Sequence, residues 1–411
     1  MGKLLPDTDS FKADNLLPVL DKIIQYSLFA FVAFAMFSIS LTQISFAIGA
    51  LSWLLKVHLT QTWKEINGTL VGIAILCFCL ACVLAIITSV DLESSIKHLK
   101  KLVQFVIFFW VVNTVQDRKQ RDLLIVFLVI AGVMVALNGL SPYLSTNYIP
   151  HLSQRLTGTL SKSSTFSGVL MLAGLVTLGQ CLFHQPKEYW LIGSVGVIAL
   201  CLIMTMARQA WLGSFLGTVF LVFYWNKKYL LIFPLLLIAA LLLSPEKIKD
   251  RMYSFTNLKD SSLHQRVSSW KGGWKIFKDH PVTGCGFKCV DYIHSQYPDP
   301  TGNVARFRGM HSNIFQLLVD TGVVGFGTWL SIWIVYFIEV FKRLRALANK
   351  KPQDNVIGIL MGGSAAVLAF LFGGFFETNI YDSEVAMFLY FIMGLSLAKI
   401  KKHPVSSILA V

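Results

Sequence analysis

Three basic side chains are the strongest candidates for chemistry in this chain of 411 residues. Arg208 stands between two apolar runs, where a charge is costly unless it reaches the lipid headgroups or meets an anionic partner in a polar cavity. Arg266 lies in a long polar segment, and a guanidinium group can bind phosphate oxygens through paired hydrogen bonds. His311 ends that segment, where an imidazole could accept a proton from a substrate hydroxyl. We interpret these residues as a catalytic set, against the alternatives of a snorkelling Arg208, a solvated Arg266 and a structural His311.

Four further residues could assist such a site. Arg155 lies in a shorter polar segment and is followed by a group of Ser and Thr residues, which favours a role in anion binding. Arg308 closely precedes His311, and it is a weaker candidate for substrate binding. Glu377 and Asp382 precede the last apolar run, where a carboxylate could orient His311 or a substrate hydroxyl. For each of these residues the alternative is a solvated position in a loop.

The composition excludes a water-soluble or disordered chain. Hydrophobic residues make up 55% and charged residues only 14%, and the mean hydropathy is +0.63. Soluble domains carry about 25% charged residues, so too little polar surface is present here to cover a soluble fold. We therefore expect an all-α polytopic integral membrane protein.

The apolar runs predict twelve membrane-spanning helices. They lie at 23–39, 41–56, 69–90, 102–116, 122–140, 164–182, 189–206, 209–225, 229–244, 313–341, 355–375 and 383–398. The first two divide one apolar stretch near Ser40–Thr42, and the seventh and eighth meet at Arg208. Predicted inner segments hold 19 Lys and Arg residues and short outer loops hold 6, which predicts that both termini are cytoplasmic.

The chain therefore divides into spans one to nine at 1–244, an outer loop at 245–312, and spans ten to twelve with a tail at 313–411. The outer loop has a net charge of +5, which orientation alone does not explain and which suits an anionic, lipid-linked ligand. A solvated loop with scattered charges is the alternative. No Asp-x-Asp pair lies in a predicted outer loop, and no metal-ligand or nucleotide-binding motif is found, so no metal or cofactor is expected.

An amphipathic helix is predicted near 263–278 in the outer loop. Its apolar residues recur at spacings of 3, 4 and 3, and they are Val267, Trp270, Trp274 and Phe277. Such a helix could lie at the membrane interface and close over a substrate, or it could simply pack on the spans. His280-Pro281 should end it, and Gly284 and Gly286 should permit tight turns. Cys285 and Cys289 could pair in an oxidising compartment or remain free thiols.

The tenth predicted span should fix the position of His311. Ser312 is a candidate N-cap residue, so the start of this helix would face the same pocket. Gly322 lies 11 residues after His311, on the same helical face, and Gly325 follows one turn later. Two glycines in one span predict the close approach of a neighbouring helix.

These motifs resemble the O-antigen ligase family in their order and spacing. The resemblance rests on Arg208-x3-Leu212 at a span boundary, Arg266 in a long outer loop, and His311-x10-Gly322 at the start of the next span. The stretch Trp270–Phe287 also resembles the loop pattern of that family. The family shares its GT-C-like fold with O-antigen polymerases and protein O-oligosaccharyltransferases. No large polar segment follows the last span, so the protein-glycosylating branch is not expected.

The resemblance implies a metal-independent, inverting transfer of O-antigen polysaccharide from undecaprenyl pyrophosphate to lipid A–core. The site would face the periplasm at a Gram-negative inner membrane, among membrane lipids and without nucleic acid. Arg208 and Arg266 would bind the pyrophosphate, and His311 would take the acceptor proton or orient the acceptor. An O-antigen polymerase with the same donor is the nearest alternative. A transporter or flippase would predict inverted repeats, and no internal repeat is found.

Overall fold

The computed structural model describes residues 8–66, 68–144, 155–184, 186–232, 246–253, 261–298, 301–348 and 356–400. Throughout these ranges the chain forms helices joined by loops, and no β-strand occurs in them. The helices of the first half are α1 (Thr8–Phe34), α2 (Ile39–Leu59), α3 (Leu70–Ile87), α4 (Leu92–Lys97), α5 (Leu99–Leu102), α6 (Val106–Thr114), α7 (Arg118–Leu144), α8 (Ser163–Phe183), α9 (Trp190–Met204) and α10 (Arg208–Trp225). Those of the second half are α11 (Glu246–Tyr253), α12 (Ser261–Asp279), α13 (Val290–Ile293), α14 (Asn303–Phe307), α15 (Asn313–Ala348), α16 (Val356–Gly373) and α17 (Ser383–Ser396).

Seven helices in the described ranges are long and apolar enough to cross a membrane. They are α1, α2, α3, α7, α8, α15 and α16, and α9 and α17 are shorter apolar helices. These features fit a multi-pass membrane protein. The ninth predicted span, 229–244, lies largely outside the described residues, so the count of twelve stays a prediction. The fourth, 102–116, is a broken segment in which a 3₁₀ turn at Val103–Phe105 precedes α6.

The boundary between the first two helices differs from the predicted one. The break lies at 35–38, and the predicted break at Ser40–Thr42 is helical in α2. Thr42 Oγ1 donates to Ser38 O at 2.7 Å, and Ser45 Oγ donates to Leu41 O at 2.8 Å. Hydroxyl groups that bond back to a carbonyl of the preceding turn are accommodated inside a helix, so they did not mark its end.

The centre of the fold is a close packing of α16 against α8 and α10. A Cβ atom added at Gly179 would lie 2.5 Å from the Cα atom of Gly362, and one at Gly213 would lie 2.7 Å from Ala369 O. Only small residues permit helix backbones to approach this closely. Because α8, α10 and α16 are fixed by these contacts, the segments at their ends are fixed too, and those segments carry Arg155, Arg208 and Glu377 of the site described below.

Helix α15 is interrupted at Gly322, so the prediction of one continuous helical face below His311 is wrong. Gly322 has φ 62° and ψ −164°, a conformation that strongly favours glycine. The opened backbone bonds to the loop after α12: Cys285 N–H donates to Val319 O at 2.9 Å, and Val323 N–H donates to Pro281 O at 2.9 Å. The close contact at Gly322 is with this loop, since an added Cβ would lie 2.3 Å from Val282 O.

At Gly325, the second glycine of this pair, the closest contact lies within α15 itself. A Cβ atom added at Gly325 would meet the side chain of Thr321 in its own helix, 2.2 Å away. The prediction that both glycines admit a neighbouring helix is therefore wrong at Gly322, because a loop fills the helix break, and it stays a prediction at Gly325, since α15 as a whole packs against α3.

The amphipathic helix of the outer loop is confirmed as α12, but its packed face differs from the predicted one. Ser269, Gly272, Gly273 and Ile276 are buried against α14 and α15, whereas Trp274 is 45% exposed. Small residues allow α12 to pack closely, and the large aromatic residue is left outside. The turns after α12 form as predicted, with φ 70° at Gly284 and 93° at Gly286, and the buried Cys285 and Cys289 are joined by a disulfide.

Candidate functional site

Four arginine side chains line one cavity of about 140 Å³, here called the arginine cavity. They come from distant parts of the sequence and are Arg155, Arg208, Arg251 and Arg266. Glu377 is the one carboxylate residue among its lining residues, so the lining carries a net formal charge of +3. A small space bordered by several guanidinium groups can hold a compact polyanion by paired, charge-assisted hydrogen bonds.

Two helix starts add to the positive character of the arginine cavity. Ser163 and Ser164 in the first turn of α8 line it, as do Arg208 and Gln209 in the first turn of α10. First-turn backbone N–H groups lack partners within their own helix and favour anions. The arrangement of arginines and helix starts therefore makes this cavity a candidate anion site.

Arg208 is positioned by a tight turn between α9 and α10. Met206 has φ 54°, which reverses the chain direction within a few residues, and α10 then begins at Arg208. Arg251 Nε donates to Met206 O at 3.2 Å, so an arginine of α11 also stabilises this turn. Arg208 is only 9% exposed, which is incompatible with snorkelling of its guanidinium group into solvent. Leu212 lies one turn later on α10 and is half-buried.

Glu377 connects the arginine cavity to His311. One carboxylate oxygen, Oε2, lies 3.7 Å from Nη2 of Arg266, and the other, Oε1, lies 3.4 Å from Nδ1 of His311. Burial raises the pKa of Glu377, but the hydrogen bond and charge of His311 and the charge of Arg266 outweigh burial and lower it below the ordinary value. The group is thus held as a carboxylate between Arg266 and His311.

The backbone of His311 is held in a strained conformation by its neighbours. Its φ is 47°, in the left-handed region that few non-glycine residues adopt. On one side, Trp270 Nε1 donates to Met310 O at 2.9 Å, and Met310 N–H donates to Gln316 Oε1 at 3.0 Å. On the other side, Ser312 N–H donates to Thr378 Oγ1 at 3.1 Å. Strain that surrounding contacts enforce in this way is often found at active sites.

Ser312 occupies the N-cap position of α15, but its side chain does not cap the helix. The Ser312 hydroxyl is buried and has no hydrogen-bond partner among the described residues. Its backbone carbonyl accepts from Gln316 N–H at 2.9 Å, as the first helical bond. Ser312 is therefore at the predicted N-cap position but does not cap the helix with its hydroxyl, and contacts with the loop after α16 fix the start of α15.

A second cavity of about 560 Å³, here called the central cavity, adjoins the arginine cavity. His311, Arg308, Asp320 and Asp382 line it, and Ser164 and Glu377 line both cavities. The arginine cavity thus opens beside the imidazole of His311, whose side chain is 40% exposed. A substrate that spans both cavities would place its anionic end among the arginines and a neighbouring group at His311.

Carboxylates in the central cavity are hydrogen-bonded. Asp320 accepts from Tyr381 Oη at 2.7 Å and from Gln316 Nε2 at 3.0 and 3.1 Å. Thr165 Oγ1 donates to Asp382 Oδ2 at 2.5 Å. Burial, with a contribution from Glu384, raises the pKa of Asp382 to about 7 although Thr165 and Lys101 oppose the change. The cavity therefore combines acceptors and donors that suit a polyhydroxylated ligand.

The predicted site residues fall into three groups by position. Arg155, Arg208 and Arg266 meet in the arginine cavity, and His311, Glu377 and the exposed Arg308 line the central cavity. The motif residues Leu212, Gly322 and Gly325 line neither of these two cavities. Within the described ranges, no group of three or more His, Cys, Asp or Glu residues could hold a metal ion.

Several lining residues were not predicted from the sequence. Arg251 lies in the highly charged stretch Glu246–Tyr253, where nothing distinguishes it from its solvated neighbours. Lys101, Lys162 and Lys288 line the central cavity but come from three separate loops or helix ends. The sequence gives no signal for their convergence, because it is produced by tertiary packing.

One of two comparisons with known proteins supports the resemblance found in the sequence. A search of curated proteins found no match to the chain. Residues 193–330 match a family model described as O-antigen ligase. The matched segment contains Arg208, Arg251, Arg266 and His311, and thus most of the basic site residues described above. Residues 193–330 are thus similar to the O-antigen ligase family, whose members are glycosyltransferase-like enzymes of the ligase and polymerase type.

Proposed function

We propose that this protein transfers O-antigen polysaccharide from undecaprenyl pyrophosphate to lipid A–core, at the periplasmic face of a Gram-negative inner membrane. The observation that carries the proposal is the arginine cavity beside His311, with Glu377 between them. A lipid pyrophosphate presents several negative charges in a small volume directly next to the anomeric carbon that reacts. The arginine cavity lies next to the imidazole of His311, just as the pyrophosphate of such a donor lies next to its anomeric carbon.

The arginines would act on the leaving group. When the acceptor oxygen bonds to the anomeric carbon, the bond from that carbon to the pyrophosphate oxygen breaks, and undecaprenyl pyrophosphate leaves with the electron pair. Arg208 and Arg266 would stabilise the charge that develops on that oxygen, and Arg155 and Arg251 would hold the remaining phosphate oxygens. A direct displacement of this kind inverts the anomeric configuration.

His311 would accept the proton of the acceptor hydroxyl. The carboxylate of Glu377 faces Nδ1 of His311, which favours the tautomer with a proton on Nδ1 and a free lone pair on Nε2. The acceptor proton would move to Nε2, and Glu377 would stabilise the imidazolium ion that results. Glu377 also faces Arg266, so the same carboxylate would align the base with the leaving-group site.

The choice of acceptor separates this proposal from the nearest alternative, an O-antigen polymerase. A reconstituted assay would combine the purified protein with an undecaprenyl-pyrophosphate-linked glycan and lipid A–core, in chelator and without ATP. We expect a shift of the lipopolysaccharide band on a gel that is lost in Arg208→Ala and His311→Ala. A glycan that lengthens on its own carrier lipid would establish the polymerase. Movement of labelled glycan across proteoliposomes without a covalent product would establish a transporter.

A further inference from the structure

A third cavity of about 440 Å³, here called the lateral cavity, adjoins the central cavity and has no arginine among its lining residues. Its lining residues are Gln43, Phe46, Lys100, Lys101, Val103, Gln104, Ser383 and Met387. Lys101 and Ser383 line both the lateral and the central cavity, whereas Ser164 and Glu377 line both the central and the arginine cavity. The central cavity with His311 is therefore bordered by two cation-containing cavities that share no lining residue with each other.

The lateral cavity is polar near the His311 end of the protein and apolar one turn deeper. The same order appears on three segments of the chain. In each segment a polar residue is followed about one turn later by an apolar one: Gln43 by Phe46 on α2, Lys100 of α5 by Val103, and Ser383 by Met387 on α17. A ligand with a polar head and an apolar chain matches this order, because each part would meet its own kind of surface.

The surroundings of the lateral cavity are apolar and exposed. Ile44 is 54% exposed on α2, Ile96 is 47% exposed on α4, and Val103 is 54% exposed. In a chain with membrane-spanning helices, exposed apolar residues of this kind face the hydrocarbon of the bilayer. The lateral cavity is therefore open to lipid between α2 and the segment 96–103.

The charge of the lateral cavity is positive. Lys100 and Lys101 line it and no carboxylate residue does, in contrast to the central cavity with its several acidic residues. Lys101 Nζ donates to Tyr381 O at 2.8 Å and to the hydroxyl of Ser383, which fixes this ammonium group at the junction of the two cavities. Lys100 is exposed at the rim. Two ammonium groups above an apolar surface are complementary to a lipid phosphate.

We propose that the lateral cavity binds the phosphate-bearing lipid of the acceptor, so that donor and acceptor lipids flank His311 from different sides. This inference rests on the proposed transfer and assigns the second lipid substrate a site of its own. It explains why two cationic cavities adjoin one imidazole: the arginine cavity would hold the pyrophosphate of the donor, and the lateral cavity would hold the acceptor while its glycan extends into the central cavity.

The test compares acceptor binding in two matched lysine variants, in nanodiscs and without donor. Lys100→Gln removes a cation of the lateral cavity, and Lys97→Gln removes an exposed cation one turn away that does not line it. The probes are lipid A–core and the same lipid after enzymatic removal of its phosphates. We expect Lys100→Gln to weaken binding of the phosphorylated probe about fivefold, the contribution of one Lys near an anionic lipid surface. Lys97→Gln should have no effect, and Lys100→Gln should have none on the dephosphorylated probe.

Binding of the undecaprenyl-pyrophosphate-linked donor should be unchanged in Lys100→Gln. A variant that binds the donor more weakly, or that loses affinity equally for both acceptor probes, would overturn the inference. If the wild-type protein transfers glycan but Lys100→Gln binds phosphorylated lipid A–core normally, the inference about the lateral cavity is wrong and the proposed function stands. If Lys100→Gln weakens acceptor binding but the wild-type protein transfers no glycan, the proposed function is wrong. The lateral cavity would then stand as a site for an anionic lipid.

Discussion

The substitution Trp270→Phe should lower the rate of transfer without changing affinity for the donor. Trp270 Nε1 donates to Met310 O, directly before the strained His311, and the indole ring stacks on Phe315 with a centroid distance of 5.2 Å. Phenylalanine retains an aromatic ring for the stack and removes only the N–H donor. Loss of this hydrogen-bond donor leaves the buried carbonyl of Met310 with one partner fewer and costs about 1–2 kcal/mol. This cost is comparable with the roughly 1–3 kcal/mol that a strained backbone residue stores.

The ratio of the productive to the relaxed conformation of His311 should therefore fall about 5- to 30-fold in Trp270→Phe, and kcat should fall by at most that factor. The donor KM should stay constant because Trp270 does not line the arginine cavity. Steady-state kinetics of glycan transfer would measure both quantities. Trp329→Phe is the matched control, since Trp329 is buried and its Nε1 makes no hydrogen bond within the described residues. Equal losses of kcat in the two variants, or a change confined to the donor KM, would refute the reasoning.

Three further predictions concern other parts of the site. Arg251→Gln should raise the donor KM by about 10- to 100-fold through loss of a charge-assisted contact, whereas Arg306→Gln, outside the cavities, should leave it unchanged. Asp382→Asn should reduce a pH dependence of stability. A pKa raised from 3.8 to about 7 makes the folded state bind the proton more tightly, so wild-type thermal stability should fall as pH rises through that window and level off above it. The fall should be smaller in the variant than in the wild type. Gly322→Ala should lower the unfolding free energy by at least about 2 kcal/mol, whereas Gly327→Ala, which has open space around it, should be tolerated in the same thermal melts.

The positions of the long helices could be predicted from the sequence because apolar runs define them. The division of 189–225 at Arg208 is confirmed: α9 ends at Met204 and α10 begins at Arg208. The end of α12 before Pro281 is confirmed as well. The division near Ser40–Thr42 was wrong because hydroxyl side chains can bond within a helix as well as end one. Composition thus locates apolar helices well but their ends only approximately.

The break in α15 could not be predicted because its cause lies elsewhere in the chain. The spacing from His311 to Gly322 fits one helical face, and only the backbone hydrogen bonds from 281–286 show that the helix opens there. The convergence of Arg155, Arg208 and Arg266 on one cavity was anticipated from their common predicted side. Arg251 was missed because it lies among several other charged residues. Long-range contacts, which a single sequence does not display, decided both outcomes.

The most direct measurement of the central claim is the stoichiometry of the leaving group. Purified protein would be incubated with undecaprenyl-pyrophosphate-linked glycan and lipid A–core, and mass spectrometry would quantify the released carrier lipid and the glycosylated acceptor. We predict equimolar undecaprenyl pyrophosphate and glycan-bearing lipid A–core, with both absent in His311→Ala. Release of undecaprenyl monophosphate, or equal product from the His311→Ala variant, would contradict a one-step displacement assisted by His311.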